Sequence, residues 1–427
     1  MLLVTIAFIL LMLMGMPVAF AIGISGVVFF LQHPELPITI PLQQTISTTQ
    51  NFALLAIPLF IMAGNLMNAS GITEKLLDLA SVIAGRLKGG LAQMSLALSA
   101  LMGGVSGSAI ADAAMQSRML GNEMISRGMS KGFTAGVLSF GAILTPIIPP
   151  GLGFIIYGTI GQVSIGRLFA AGFAPAFLLW IGLAATVSIT ANRRGYPAAR
   201  TQHASPAEIF SALSGGIWAL LFPVILLLGL RFGIFTPSEI GAFAVIYAVL
   251  IGIAAYRKLK IASFREALEG SLSDVGAVMF LIALSAIFSY GIVLERIPEL
   301  ISGAILNVTD SLYGVMMLIV LFILACGFFI DATVLIIMLT PIFLPLIKQL
   351  GGDPVHFGVV FVVAATIGNF TPPVGAAMYA VCSILKVRIG DYTRESLPLM
   401  FAVSLVTLIL IFIPQTVLFL PNLLFNR

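Results

Sequence analysis

The apolar segments of this chain are interrupted twice by the same combination of glycine, threonine and paired prolines. The first interruption lies in 140–169, FGAILTPIIPPGLGFIIYGTIGQVSIGRLF, and the second in 367–392, IGNFTPPVGAAMYAVCSILKVRIGDY. Proline lacks a backbone donor and clashes with the preceding turn, so each segment predicts a helix that breaks in its middle. Each break follows a glycine-rich stretch leading to an acid, GGVSGSAIADA and CGFFIDAT. The pattern therefore predicts two structurally related halves.

The composition places these breaks in a membrane. Hydrophobic residues make up 59% of the 427 residues and charged residues 9%, whereas soluble domains carry about 25% charged residues. So little charge cannot cover a water-soluble surface, which predicts an all-α polytopic membrane protein surrounded by lipid. The net charge of +4 lies mostly in loops and indicates topology rather than nucleic-acid binding. The N-terminus lacks the basic start of a cleaved signal peptide, so we expect it to be retained.

Basic loops orient the predicted spans. The apolar stretches are 1–14, 17–31, 52–69, 91–111, 132–162, 167–191, 216–233, 238–256, 275–294, 312–330, 333–347, 357–386 and 397–420. Basic residues cluster in four loops, at 118–131, 193–200, 257–265 and 386–394. The positive-inside rule places all four in the cytoplasm, provided that 91–111 and 312–347 form hairpins that do not cross. Both termini are then predicted to lie outside.

The order of parts divides the chain into two inverted repeats. Repeat 1 is predicted at 1–192, with a re-entrant hairpin at 88–113 and a broken helix at 132–162. Repeat 2 is predicted at 216–427, with a hairpin at 312–348 and a broken helix at 357–386. The segment 193–215 between them is predicted to be a cytoplasmic interfacial linker with an arm helix. The first hairpin opens from the cytoplasm and the second from outside.

The hairpin tips and the breaks carry the candidate chemistry. Ser and Thr hydroxyls, Asp112, Asp331 and carbonyls freed by proline supply the oxygens that a hard monovalent cation needs, and half-helix N-termini nearby favour an anion. Acids at membrane depth indicate function by default. Three structural explanations remain open: glycine-rich packing surfaces, simple proline kinks, and acids that reach water at a helix end. No phosphate-binding loop is present, so ATP use is not expected.

Six motifs together resemble the large membrane subunit of tripartite ATP-independent periplasmic (TRAP) transporters, over essentially the whole chain. They are GMPVAFAIG (15–23), AIPLFIMAGNLMNASGI (56–72), GGVSGSAIADAA (103–114), TPIIPPG (145–151), FFIDATVLIIMLTPIFLPL (328–346) and GNFTPPVG (368–375). The resemblance implies a multi-pass protein of the bacterial inner membrane with an elevator-type fold and mechanism. It also implies Na+-driven import of an organic acid anion, of the sialic acid or C4-dicarboxylate class, with no cofactor besides the coupling ion.

The resemblance further implies two partners and a set of site residues. The partners are a small four-helix membrane subunit, expected as a separate chain, and a periplasmic substrate-binding protein. The implied Na+ ligands are Gly104, Ser106, Ser108, Thr145, Gly327, Asp331, Thr333, Gly368 and Thr371. The implied substrate-binding residues are Ser106, Ser108, Pro150, Asn369 and Pro373.

Three other functions are compatible with parts of the pattern. A stand-alone cation-coupled anion transporter would work without a periplasmic partner, and a passive channel would lack uphill uptake. An intramembrane aspartyl protease would use the two acids as a pair, but its usual Gly-x-Gly-Asp context is absent before Asp112 and Asp331. Charge arithmetic favours the coupled transporter: each charge moved through 100 mV is worth about 2.3 kcal/mol, so co-transported Na+ reverses the cost of importing an anion.

Overall fold

The computed structural model describes residues 2–200 and 202–425, and every regular element in that part of the chain is helical. Within these residues, seven helices are long and apolar enough to cross a membrane. The prediction of an all-helical membrane protein is therefore confirmed.

Eleven α-helices form the first half of the chain. They are α1 (Leu2–Leu13), α2 (Val18–Gln32), α3 (Ile40–Thr49), α4 (Ala56–Ala69), α5 (Ile72–Ala84), α6 (Gly90–Met102), α7 (Ala109–Gln116), α8 (Asn122–Ser126), α9 (Lys131–Ala142), α10 (Leu152–Gly161) and α11 (Ile165–Arg194). A 3-10 turn at Phe52–Leu55 precedes α4, and a π-helical segment at Ser117–Gly121 joins α7 to α8.

Ten α-helices form the second half. They are α12 (Pro206–Arg231), α13 (Pro237–Leu250), α14 (Ile261–Leu294), α15 (Ile297–Leu306), α16 (Leu312–Gly327), α17 (Ala332–Gln349), α18 (Pro354–Phe370), α19 (Ala376–Leu385), α20 (Ile389–Phe412) and α21 (Gln415–Phe425). A π-helical segment at Ile251–Ala255 extends α13.

Hairpins and broken helices lie where the glycines and prolines indicate. Helices α6 and α7 form the first hairpin and α16 and α17 the second, while α9–α10 and α18–α19 are the two broken helices. In each half a span and a short helix precede the hairpin, and the broken helix and a final span follow it. These features confirm the predicted fold class, whereas the residue limits of the two repeats and of the linker stay a prediction.

The two halves pack against each other in a reciprocal way. The second arm of the first hairpin, α7, contacts α19, the second part of the broken helix from the other half. The second arm of the second hairpin, α17, contacts α10, the matching part of the first broken helix. Exchanging the halves leaves this pattern unchanged, so the two breaks and the two tips lie in one interlocked unit.

Three helices differ in extent from the apolar stretches of the sequence. The predicted arm helix and the span that follows it form one continuous helix, α12, which begins with a capping box between Ser205 and Glu208. Helix α14 begins at Ile261 rather than at 275, because a helix can project beyond the apolar layer where its residues are charged. The last apolar stretch is divided into α20 and α21 at Pro414, since proline cannot continue the hydrogen-bond ladder.

Candidate functional site

The tip of the first hairpin lies directly on the first break. A Cβ at Gly103 would stand 3.2 Å from the carbonyl oxygen of Thr145, and a Cβ at Gly107 would stand 2.9 Å from that of Pro150. Gly107 also has a φ of +62°, which L side chains rarely adopt. Glycine is therefore required for this close approach of backbone to backbone.

Paired prolines free carbonyl oxygens in the first break. In a continuous helix, the N–H groups of residues 149 and 150 would donate to the carbonyls of Thr145 and Pro146. Both donors are absent because residues 149 and 150 are prolines. The break therefore presents two carbonyls that lack their helical donors beside the hairpin tip.

A buried carboxylate stands behind this tip. Asp112 is 1% exposed and accepts hydrogen bonds from Ser99 Oγ (2.7 Å) and Thr145 Oγ1 (2.9 Å). The Nε2 of Gln116 donates to both of its oxygens, at 3.0 Å each. Asp112 thus joins both hairpin arms to the first break, and the alternative in which it reaches water is wrong.

The surroundings of Asp112 lack a positive charge. In residues 2–200 and 202–425 this carboxylate has hydrogen-bond donors but no ion-pair partner. An ionised carboxylate buried without a counter-charge is strongly unfavourable, so a cation or a proton is needed beside it. The Oε1 of Gln116 is also buried without a partner, which leaves a further oxygen free to bind a cation.

The second hairpin crosses the second break through two glycines. A Cβ at Gly327 would stand 2.8 Å from the Cα of Gly368, and a Cβ at Gly368 would stand 2.7 Å from the Cα of Gly327. The two backbones therefore touch, which brings two of the predicted cation-site glycines together.

Asp331 connects the second tip to the second break. It caps α17 by accepting a hydrogen bond from the backbone N–H of Thr333 at 2.8 Å. Its other oxygen, Oδ2, accepts from Asn369 Nδ2 at 3.1 Å. Asp331 is half-buried, so it is shielded but remains accessible from an open side.

Asn369 contributes two oxygens without hydrogen-bond donors. Its side chain is 3% exposed, and Oδ1 has no partner within the described part of the chain. Its carbonyl cannot receive the usual helical bond, because residue 373 is proline. Asn369 Oδ1 and the Asp331 carboxylate are oxygens of the kind that bind hard cations.

The remaining predicted residues occupy less decisive positions. Ser106 and Ser108 are half-buried, and Ser108 caps α7 by accepting from Ala111 N at 3.4 Å. The hydroxyl of Thr371 donates to the Ile367 carbonyl at 2.8 Å. Gly104 faces α12, where its Cβ would stand 2.5 Å from Pro223 Cγ. Pro150 is buried, whereas Pro373 is exposed.

Four helices begin at the tips and breaks. Helices α7 and α17 start after the hairpin tips, and α10 and α19 start after the breaks. The N-terminus of a helix carries a partial positive charge. Four such ends within one interlocked unit favour an anionic ligand near the tips and the breaks.

Comparison with known proteins gives one consistent result. Residues 5–416 match the family model of the tripartite ATP-independent periplasmic transporter, DctM component. The chain is 33% identical over 404 residues to the 2,3-diketo-L-gulonate TRAP transporter large permease protein YiaN of Escherichia coli, covering 95% of each chain. It is 32% identical over 409 residues to the sialic acid TRAP transporter large permease protein SiaM of Vibrio cholerae, covering 96% of this chain and 95% of SiaM.

A solved structure shares the fold at low sequence identity. The YdaH transporter of Alcanivorax borkumensis matches with a TM-score of 0.59 and 15% identity, over 86% of each chain. At this identity the likeness concerns the arrangement of helices alone.

Proposed function

Because this chain belongs to the DctM component family of tripartite ATP-independent periplasmic transporters, we propose that it is the Na+-coupled permease subunit that imports an organic acid anion. A periplasmic binding protein delivers the anion, and a separate small membrane subunit completes the transporter in the bacterial inner membrane. The substrate belongs to the carboxylate-bearing class to which 2,3-diketo-L-gulonate, sialic acid and the C4-dicarboxylates belong. Both termini of the chain face the periplasm.

One observation carries the proposal of Na+ coupling. Asp331 is hydrogen-bonded to the side chain of Asn369, whose Oδ1 is buried without a partner in the described part of the chain, at the crossing of the second tip and the second break. Sodium binding here neutralises the carboxylate and gives Asn369 Oδ1 a partner, while Gly327, Gly368, Thr333 and Thr371 shape the backbone around the ion. Sodium binding thereby favours the arrangement in which the second tip contacts the second break, and such a preference for one arrangement is what coupling requires.

The first tip supplies a second cation site by the same logic. Gly104, Ser106, Ser108 and Thr145 hold the ion next to the first break, and the Asp112 carboxylate supplies its counter-charge. The anion lies between the tips, near the Ser106 and Ser108 hydroxyls, Asn369, Pro150 and Pro373, with the four helix N-termini directed towards it.

Transport proceeds by an elevator motion. The hairpins and broken helices move as one body along a scaffold that includes α4, α12, α13 and α14. Small residues line the contact between them: Gly64 of α4 meets the Val105 carbonyl, where a Cβ would stand at 3.0 Å, and Gly104 meets Pro223 of α12. Small residues let the two bodies approach closely across this contact.

Reconstitution tests the function. The chain is placed in proteoliposomes with its small subunit, and uptake of labelled sialic acid, 2,3-diketo-L-gulonate and a C4-dicarboxylate is measured with the matching binding protein. We expect uptake of one of these acids only with an inward Na+ gradient, increased by an inside-negative potential. Uptake driven equally well in K+ or choline medium contradicts Na+ coupling, and uptake without the binding protein favours a stand-alone transporter.

Asp112→Asn tests the first cation site separately. The side chain keeps its size but loses the negative charge, so the Na+ concentration for half-maximal uptake is expected to rise about tenfold or more. Asp310→Asn, at an exposed position, is the matched control and should behave as the wild type. An unchanged Na+ dependence in Asp112→Asn would remove this carboxylate from the site.

A further inference from the structure

The last four carbonyls of α18, those of residues 367–370, have no donor in a following helical turn. The groups that bind them determine the conformation of the second break. The Ile367 carbonyl accepts from the Thr371 hydroxyl at 2.8 Å, and the Gly368 carbonyl accepts from the Thr371 N–H at 3.1 Å. Both partners therefore come from the break itself. The carbonyls of Asn369 and Phe370 remain, and they differ in what they meet.

A tyrosine from a distant helix binds one of these two carbonyls. Tyr392, near the start of α20, donates its hydroxyl hydrogen to the Phe370 carbonyl at 2.8 Å. The adjacent Asn369 carbonyl has no helical donor because residue 373 is proline. The Phe370 carbonyl is thus held by Tyr392, whereas the preceding carbonyl, that of Asn369, lacks its helical donor.

The environment of the Tyr392 hydroxyl makes this bond hard to replace. Tyr392 is 0% exposed. Ser139 on α9 and Ser396 on α20 are also 0% exposed, and neither hydroxyl has a hydrogen-bond partner within the described residues. Because the tyrosine is enclosed, solvent water does not take its place, and Tyr392→Phe removes the donor that holds the Phe370 carbonyl.

We propose that Tyr392 is a positioning residue for the cation site of the second break. By holding the Phe370 carbonyl, it fixes the backbone next to Asn369, so that the Asn369 side chain keeps its hydrogen bond to Asp331 Oδ2. It also connects the second break to α9 of the first broken helix, because α20 packs on α9. The proposal rests on the proposed function, since it assigns a role at the Na+ site of that function.

The chain supplies a matched control in Tyr157. This tyrosine is also 0% exposed and also donates to a backbone carbonyl at 2.8 Å. Its acceptor is Pro354, at the opposite end of α18 from the break. Removing either hydroxyl therefore costs the same kind of hydrogen bond. Only the Tyr392 hydroxyl contacts the second break.

The experiment measures Na+ binding without a transported acid. The full chain, Tyr392→Phe and Tyr157→Phe are purified, and their thermal unfolding is followed while NaCl replaces choline chloride at constant ionic strength. A ligand that binds the folded state raises the unfolding temperature with a midpoint that reports its affinity. We expect both variants to unfold at a lower temperature in choline. The Na+ midpoint should rise about tenfold in Tyr392→Phe and stay at the wild-type value in Tyr157→Phe.

Each other outcome has a defined meaning. An unchanged midpoint in Tyr392→Phe, or an equal rise in both variants, overturns the positioning role. A Tyr392→Phe chain that fails to accumulate while Tyr157→Phe folds also overturns it, because the bond is then needed for folding itself. If Na+ does not stabilise the wild-type chain more than choline does, the proposed Na+ coupling itself is wrong. This result differs from the ones that overturn the role of Tyr392 alone, so the two failures can be told apart.

Discussion

Asp331→Asn is expected to abolish Na+-driven uptake while the chain still folds and inserts. Asparagine caps a helix as well as aspartate does, so α17 keeps its start. The lost term is the attraction between a carboxylate and a cation, roughly 4 kcal/mol at 4 Å in an effective dielectric of about 20. Uptake at a fixed Na+ concentration should therefore fall by about a hundredfold or more, measured as initial rates in proteoliposomes.

Asp353→Asn is the matched control for this charge change. Asp353 caps the neighbouring helix α18 by accepting from Val355 N (2.6 Å) and His356 N (3.2 Å). It lies at the end of α18 opposite the break, and its ion pair with Arg167, at 3.5 Å, is partly exposed and contributes little. Near-normal Na+ dependence is expected in this control. If Asp331→Asn also showed near-normal Na+ dependence, the second cation site would have to lie elsewhere.

Local sequence signals were sufficient to place the hairpins and the breaks. Glycine and proline act on the residues next to them, so GGVSGS and TPIIPPG mark a turn and a break whatever the rest of the chain does. The same locality identified Asp331 beside Gly327, and Asn369 directly before a proline pair. Turns and helix breaks that glycine and proline cause in their own segment can therefore be predicted from that segment alone.

Hydrogen-bond partners that come from other helices cannot be predicted from a single segment. Gln116 follows Asp112 by one helical turn, a spacing that allows a contact, but this residue is not among those predicted from the sequence. Ser99 reaches the same carboxylate from the opposite hairpin arm, which depends on how the arms align in space. Tyr392 is a stronger case, because nothing in its segment indicates that its hydroxyl meets the Phe370 carbonyl.

Hydropathy predicts helix ends poorly where charged and apolar stretches alternate along one helix. The N-terminal part of α14 contains Arg265, Glu266 and Glu269, so a search for apolar windows detects only the later part. Hydropathy indicates whether a residue lies in the membrane or in water, whereas hydrogen bonding decides where a helix ends. The apolar segment and the helix have the same limits only where the helix stops at the membrane surface.

Gly368→Ala is expected to impair transport as strongly as the loss of Asp331, without any change of charge. The new Cβ would stand 2.7 Å from the Cα of Gly327, closer than two carbon atoms can pack, and the obstacle is backbone rather than a flexible side chain. The hairpin tip must then move away from the break. A displacement near 1 Å in a positioned site costs about a hundredfold in rate, so uptake should fall by about that factor.

Gly390→Ala separates this steric effect from a general response to alanine in a helix. Gly390 lies near the start of α20, and no atom stands within 4 Å of the position that its Cβ would take. Alanine there should leave uptake unchanged and stabilise the helix by about 0.5–1 kcal/mol. Thermal unfolding and Na+ midpoints of both variants complete the comparison: a displaced tip weakens Na+ binding in Gly368→Ala alone. Wild-type uptake by Gly368→Ala would mean that the tip and the break need not touch during transport, and coupling through their contact would have to be abandoned.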